Sequence, residues 1–421
     1  MSAPKVIIIG GGAAGMMAAG SAAQGGAKVV LLERGTALGR KLRISGKGRG
    51  NITNTADIAE VVEAFSPNGR FLYGAFSRFF REELLELLRE QGVETKIERG
   101  GRVFPASDRA GDVVDALERW LTANGAKVRL NSRVKSLVID NGRIVGVKLY
   151  AGQMEAAAVI IATGGMSYPK TGSSGDGYTF SAEAGHTIVP PRPALSALVT
   201  LEAWVKEAQG LALKNVEAKL LFQAHGQERP RKVASEFGEM LFTHFGLSGP
   251  IILTLSRGVG DLLKQGNVFV SIDLKPALSS EQLQARLIRD FKQVKHFRNY
   301  LRELLPVLLI EPFVFLSGME GDKPVNLITA AERNRIVERL KDLRVTVKDM
   351  GSLDEAIVTA GGVAIGEIDS RTMMSKLVDG LFFAGEVIDI DAETGGYNLQ
   401  AAFSTGYVTG KAASEYIEQR R

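Results

Sequence analysis

The run Lys5-Val6-Ile7-Ile8-Ile9 leads straight into Gly10-Gly11-Gly12-Ala13-Ala14-Gly15. An unbroken apolar run rich in β-branched residues suits a strand buried on both faces of a parallel sheet. Glycines at this spacing then open a helix, expected over residues 13–24. Gly10 allows the tight turn, Gly12 lets a pyrophosphate approach the backbone, and Gly15 lets helix and strand pack closely. Ala13 and Ala14 lie at the positive end of that helix, where phosphates bind. A second strand is expected over residues 28–33 and ends at Glu33, with Arg34 after it. A carboxylate in that place accepts ribose hydroxyls and disfavours a 2′-phosphate. The pattern reads as a dinucleotide site; a purely structural glycine turn is the alternative.

Three later blocks extend the site. Phe383-Ala384-Gly385-Glu386 ends another apolar run, and Gly395-Gly396-Tyr397-Asn398-Leu399-Gln400 then opens a helix expected over residues 397–419. In two-part flavin sites a late acid such as Glu386 binds a ribityl hydroxyl. The late helix N-terminus, here Gly396 to Leu399, then faces the flavin pyrimidine ring. An N-terminal fingerprint paired with this element points to FAD rather than NAD. Val159-Ile160-Ile161-Ala162 leads into Thr163-Gly164-Gly165, where backbone can approach a flat cofactor. Residues 39–54 form a basic, glycine-rich loop in which Lys41, Ser45, Gly46 and Asn51 are candidate contacts to phosphate or flavin. Val134, at the start of a strand meander over residues 127–162, joins the cofactor-binding candidates.

Helices are expected over residues 71–91, 110–124 and 279–305, with Asp140-Asn141-Gly142 as a hairpin turn. The prolines at 190, 191 and 193 mark a domain boundary. The expected division is an FAD-binding part at 1–190, a β-rich insert of short strands at 191–275, a helical cap at 276–320, a return to the insert at 321–350, and the second FAD-binding part at 351–421.

Composition removes other chemistries. The 421 residues contain no cysteine, which excludes disulfides, Fe–S clusters, Cys-ligated zinc and thiol nucleophiles. The four histidines are widely spaced, so no metal site is expected. A net charge of +5 permits contact with phosphates without demanding nucleic acid. No apolar stretch reaches the roughly 20 residues of a membrane span. A cytoplasmic protein is expected, with its oligomeric state left open.

These blocks resemble a flavoprotein family whose members are described as aminoacetone oxidase-like, 3-dehydro-bile acid reductase-like and ribosomal RNA dihydrouridine synthase-like. The resemblance extends through residues 242–250 (Phe-Thr-His-Phe-Gly-Leu-Ser-Gly-Pro) and Thr359-Ala360-Gly361-Gly362-Val363. It implies an α/β fold: a two-part Rossmann-like FAD-binding domain, glutathione reductase-like, interrupted by a β-barrel-like domain with a helical cap. One departure bears on mechanism. The family often carries cysteine where this chain has Gly50, so no thiol can protonate a substrate here.

The expected function is an FAD-dependent oxidoreductase that reduces an activated C=C bond. Uridine in 23S ribosomal RNA and a small enone such as a 3-oxo steroid are the candidate substrates. No second dinucleotide fingerprint follows a strand, so NAD(P)H, if it is the donor, docks transiently. An oxygen-dependent amine or aminoketone oxidase and a non-catalytic, flavin-stabilised RNA-binding protein are the alternatives. His244, Tyr168 and Tyr397 are the candidate proton donors or stacking groups, each with a structural role as its alternative. Arg99, Arg102 and Arg109 are weaker candidates for binding an anionic substrate. Lys292, Lys295, Arg298 and Arg302, at spacings of three and four, are expected on one helix face. With Phe297 and Tyr300 interleaved they offer a grip on RNA, or else a solvated cationic face.

Overall fold

The computed structural model describes residues 5–420. They divide into two compact units: the residues up to Pro193 together with those from Ile357 onward, and the intervening Ala194–Ala356.

The larger unit is built on five parallel strands: β1 (Lys5–Ile9), β2 (Lys28–Leu32), β3 (Lys127–Arg129), β4 (Ala158–Ile161) and β5 (Leu381–Phe383), in the order β5-β4-β1-β2-β3. The continuous apolar character of β1 now has its reason. Val6 and Ile8 enter one core, Ile7 and Ile9 the other, and all four are buried. Helix α1 (Ala13–Gln24) lies in the first core with α2 (Tyr397–Glu418). The two helices touch through small residues. A Cβ on Gly406 would stand 2.3 Å from the Ala14 carbonyl oxygen, and one on Gly410 2.3 Å from that of Ala18. This backbone-to-backbone seam joins the two ends of the chain in one domain.

Two expectations fail in this unit. Residues 71–91 are not one helix; Tyr73–Phe76 and Arg81–Glu90 are separate, with Phe80 extended between them. The Glu83 carboxylate accepts the Phe80 N–H at 2.8 Å and starts the second helix afresh. Phe76, Phe79 and Phe80 are all buried, so the apolar spacing ran across a break it could not register. The stretch 127–162 is not one meander either. β3 and β4 belong to the parallel sheet, and only Val134–Asp140, Arg143–Leu149 and Gly152–Glu155 pair antiparallel. The Asn141-Gly142 turn, both residues at positive φ, does join the first two.

The smaller unit is a closed six-stranded barrel of Leu198–Thr200, Gly246–Ser248, Arg231–Phe242, Ala212–Ala224, Gly266–Asp273 and Leu343–Met350, in that order around the barrel. Alternate residues fill it: Val216, Ala218, Leu220 and Phe222 on one strand, Val268, Val270 and Ile272 on the next. Two of the strands, of 13 and 12 residues, are longer than the short strands expected.

Within residues 321–350, where the chain was expected to return to the insert, Ala330–Lys341 is a helix started by a capping box of Thr329 with Glu332, and the barrel strand Leu343–Met350 follows it. The helix expected over residues 279–305 is broken between Asp290 and Phe297. Lys292 and Lys295 lie on that connection, Arg298 in the short helix Phe297–Leu301, and Arg302 just after it. The four cations therefore do not share a helix face. Phe297 and Tyr300 are fully buried and cannot stack on a base. Among the described residues no helix is long and apolar enough to cross a membrane.

Candidate functional site

The site elements of the larger unit stand at the C-terminal ends of its parallel strands. A Cβ on Gly15 would lie 1.8 Å from the Gly10 carbonyl oxygen, so only glycine fits there. A Cβ on Gly12 would meet nothing within 4 Å. Helix α1 begins at Gly12 with no side-chain cap and no acid in its first turn. Its leading N–H groups thus face open space, the arrangement a diphosphate fills. Glu33 is buried and accepts the Gly11 N–H at 2.8 Å and the Gly35 N–H at 2.6 Å. At the end of β4, Thr163 Oγ1 is buried without a partner. An open, uncapped helix end fits an FAD better than a structural turn, which would have capped it internally; the Thr163 hydroxyl is packed inside, toward Gly177, and does not reach that opening.

Four side chains then tie the glycine-rich blocks together. The Lys41 ammonium donates to Glu386 Oε2 and to Ser167 Oγ, both at 2.6 Å. Glu386 Oε1 accepts the Thr359 N–H at 2.8 Å and faces Ser167 Oγ at 3.1 Å. Thr359 Oγ1 in turn accepts the N–H groups of Met166 and Ser167 at 2.8 and 3.0 Å. Glu386 was expected to hold a ribityl hydroxyl. Its carboxylate is instead committed to a node that fixes residues 163–167 against Thr359 and the basic loop. Gly164 sits at positive φ, and Gly165 lets Thr359 approach, since a Cβ there would stand 2.4 Å from Thr359 Oγ1. Sequence reasoning missed Ser167, which carries no motif. It had Thr359 only as part of a family block.

The start of α2 is held by the basic loop. The Asn51 side-chain amide faces the Gly396 N–H at 3.1 Å and the Thr53 carbonyl at 3.2 Å, and turned with its oxygen toward Gly396 it satisfies both. Thr53 Oγ1 donates to Gln400 at 2.6 Å, deep in the unit. The Asn398 amide clamps the preceding turn, accepting the Ala392 N–H and donating to its carbonyl, both at 2.9 Å. Leu399 packs into the core, and the Gly385 N–H donates to Thr405 of α2 at 3.0 Å. Tyr397 is half-buried beside Gly395, and burial, with Glu393 and Glu60, pushes its phenol upward. Asp389, absent from the sequence candidates, sits on the same connection. Asn68 donates to its carboxylate at 3.1 Å, and burial raises its pKa.

Other candidates lie elsewhere. Ser45 Oγ donates to the Leu42 carbonyl at 2.7 Å, closing its own turn, and Gly46 shapes that turn at positive φ. Arg34 pairs with Asp176 at 3.2 Å. Val134 is buried in its hairpin. Tyr168 adopts φ of 52°, and its carbonyl accepts from Thr171. His244 belongs to the smaller unit, on an exposed hairpin turn edge-on to Phe245. Arg102 donates to the Arg99 carbonyl and lies over the Phe104 ring, and Arg109 faces Asp112 at 3.7 Å. Lys295 pairs with Glu303, and Arg298 with Glu311 and Asp322. Among the described residues no group of acids and histidines could hold a metal ion.

Fold and site define an FAD-dependent oxidoreductase of the two-part Rossmann class. The chain belongs to the family described as HI0933-like protein Rossmann domain, whose profile matches residues 4–412. It is 32% identical over 392 residues to the 3-dehydro-bile acid delta(4,6)-reductase of Clostridium scindens, across 92% of this chain and 93% of that protein. It is 32% identical over 393 residues to the ribosomal RNA dihydrouridine synthase of Escherichia coli, across 90% of each. Among solved structures, the Mycobacterium smegmatis Sdh1 complex in the apo form matches with a TM-score of 0.50 at 16% identity, over 99% of this chain and 68% of that one. That likeness concerns the fold alone.

Proposed function

We propose that this protein saturates an activated carbon–carbon double bond, with NAD(P)H as a transiently docked donor. The observation that carries the reading is the cradle after the central strand β1, where the uncapped N-terminus of α1 opens at Gly12 with nothing within 4 Å of a Cβ there. The relatives' names support the direction. A delta(4,6)-reductase and a dihydrouridine synthase both turn a conjugated C=C into C–C. FAD held here supplies the hydride. The chain's own groups do the rest. The α1 N-terminus binds and orients the cofactor. The node of Lys41, Ser167, Thr359 and Glu386 fixes three loops against one another. Tyr397, protonated at the head of α2, is the group we assign to proton delivery, with no thiol at position 50.

The test is anaerobic reduction of the yellow protein by NADPH or NADH, followed by mixing with an unmodified ribosomal RNA transcript or a 3-oxo-4-ene steroid. Mass spectrometry should show a gain of two hydrogens in one of the two. Hydrogen peroxide release from aminoacetone in air, with neither acceptor reduced, overturns the reading in favour of an oxidase.

A further inference from the structure

We infer that an arginine–tyrosine surface on the larger unit, made by Arg70, Tyr73, Arg78 and Arg371, binds single-stranded RNA. The inference rests on the reductase reading only in taking RNA as the substrate class.

Arg70 lies in the 3-10 turn Gly69–Leu72, and Tyr73–Phe76 continues it with helical backbone angles. Arg70 and Tyr73 are thus three residues apart on one rising turn. The loop carrying Arg371 is packed directly onto that turn. A Cβ on Gly74 would stand 3.1 Å from the Ser370 carbonyl oxygen and 4.0 Å from the Arg371 Cα. Arg78 donates to the Arg371 carbonyl at 3.0 Å. All three arginines are exposed, and Tyr73 is 60% exposed. Among the described residues none of the three arginines has an ion-pair partner. The nearest acid by sequence, Asp369, is turned onto the Arg371 and Thr372 N–H groups at 2.8 and 3.0 Å.

In the helical region over residues 280–341, by contrast, Lys295 and Arg298 are spent on carboxylates, and the two aromatic residues beside them, Phe297 and Tyr300, are buried. Uncompensated guanidinium groups attract phosphates, and an exposed aromatic ring among them stacks a base. An anionic lipid surface offers phosphates to the same guanidinium groups; stacking of a base on Tyr73 is the contact particular to RNA, and the Tyr73→Ala variant reads it.

The surface is also tied to the cofactor site. Asn68, two residues before Arg70, donates to the Asp389 carbonyl at 2.8 Å, three residues past Glu386. Met373, two residues after Arg371, accepts the Phe383 N–H at 3.0 Å, three residues before Glu386. Both halves of the surface thus hold the segment that carries Gly385 and Glu386.

The experiment measures binding of a fluorescent 20-nucleotide uridine-rich RNA to the FAD-loaded protein across a salt series. The variants are Arg70→Gln/Arg78→Gln/Arg371→Gln, Tyr73→Ala, and Lys292→Gln/Arg302→Gln as the comparison. Each counterion-releasing contact contributes about 0.7 to the logarithmic salt slope, so the triple variant should flatten it by roughly 2. Tyr73→Ala should weaken binding about tenfold at unchanged slope. The Lys292/Arg302 variant should bind like the wild type. FAD content and thermal midpoint report whether each variant is folded. Unchanged RNA affinity in Tyr73→Ala and in the folded triple variant overturns the inference, as does loss only in the Lys292/Arg302 variant. Triple-variant loss on phosphatidylglycerol vesicles, with Tyr73→Ala neutral on RNA, assigns the surface to lipid and also overturns it. If the wild type binds RNA through this surface yet reduces no double bond, the reductase reading fails and the surface stands.

Discussion

The two units solve opposite problems with the same chain. The barrel unit, Ala194–Ala356, closes a sheet on itself and fills it with Val, Ile, Leu and Phe. Five of its described residues are buried and polar, against fifteen in the larger unit. Closure leaves the barrel no unpaired edge, so it needs few internal polar contacts. The parallel sheet of the larger unit ends in loops that must hold backbone at close quarters for a ligand. It therefore buries Glu33, Ser167, Thr359, Gln400 and Thr405, each bonded across the chain. In the first unit packing sets stability; in the second, polar geometry sets binding.

Two substitutions break that contrast if it is wrong. Phe242 is fully buried in the barrel, tilted against Trp204 with ring centroids 5.9 Å apart. Phe242→Ala should cost about 4 kcal/mol of stability, the largest effect expected, while folded protein keeps its FAD stoichiometry. Calorimetry and the flavin absorbance of the folded fraction measure the two separately. Glu386→Gln should do the reverse. It removes the charge facing Lys41 and loosens Ser167 and the Thr359 N–H at once. A loss of about 1–3 kcal/mol in the node, carried into binding, should weaken FAD affinity by about 5- to 150-fold, with a smaller change in thermal midpoint. Equal flavin loss in both variants would remove the distinction.

The same contrast explains what the sequence could and could not tell. Gly10 to Gly15 and Glu33 were legible because the turn, the helix start and the carboxylate are local and obey fixed spacing. The node was not legible. Lys41, Ser167, Thr359 and Glu386 are far apart in the chain, and nothing local in Ser167 predicts that it accepts from a lysine 126 residues away. Tertiary pairing also withdrew what local reading offered. Arg298 looked free as a sequence position, but Glu311 and Asp322 neutralise it. Breaks inside apolar periodicity, at Ser77–Phe80 and around Phe291–His296, stayed hidden because buried phenylalanines on both sides keep the spacing.

Acid separates the units more finely. His186 is buried in the larger unit, with Nε2 2.8 Å from Ser375 Oγ and Nδ1 3.2 Å from Glu367. Ser375 Oγ already accepts the Leu377 and Val378 N–H groups, so its own proton goes to Nε2 and the ring is the neutral Nδ1–H tautomer. Burial lowers the His186 pKa below its ordinary 6.5, outweighing Glu367. The unfolded chain then binds the extra proton first, so this contribution to stability is lost as pH falls below about 6.5. In the smaller unit Glu332, bonded to Lys323 and the Thr329 cap, is held at about 2 against an ordinary 4.5. Its contribution is present above about 4.5 and is lost only as pH falls toward 2. Between pH 7 and 5 the wild type should lose thermal midpoint that His186→Gln does not lose. The gap between wild type and Glu332→Gln should stay constant over that range and close by pH 2. A His186→Gln protein that softens as much as the wild type would show that the buried imidazole is not the acid-sensitive element of the cofactor unit.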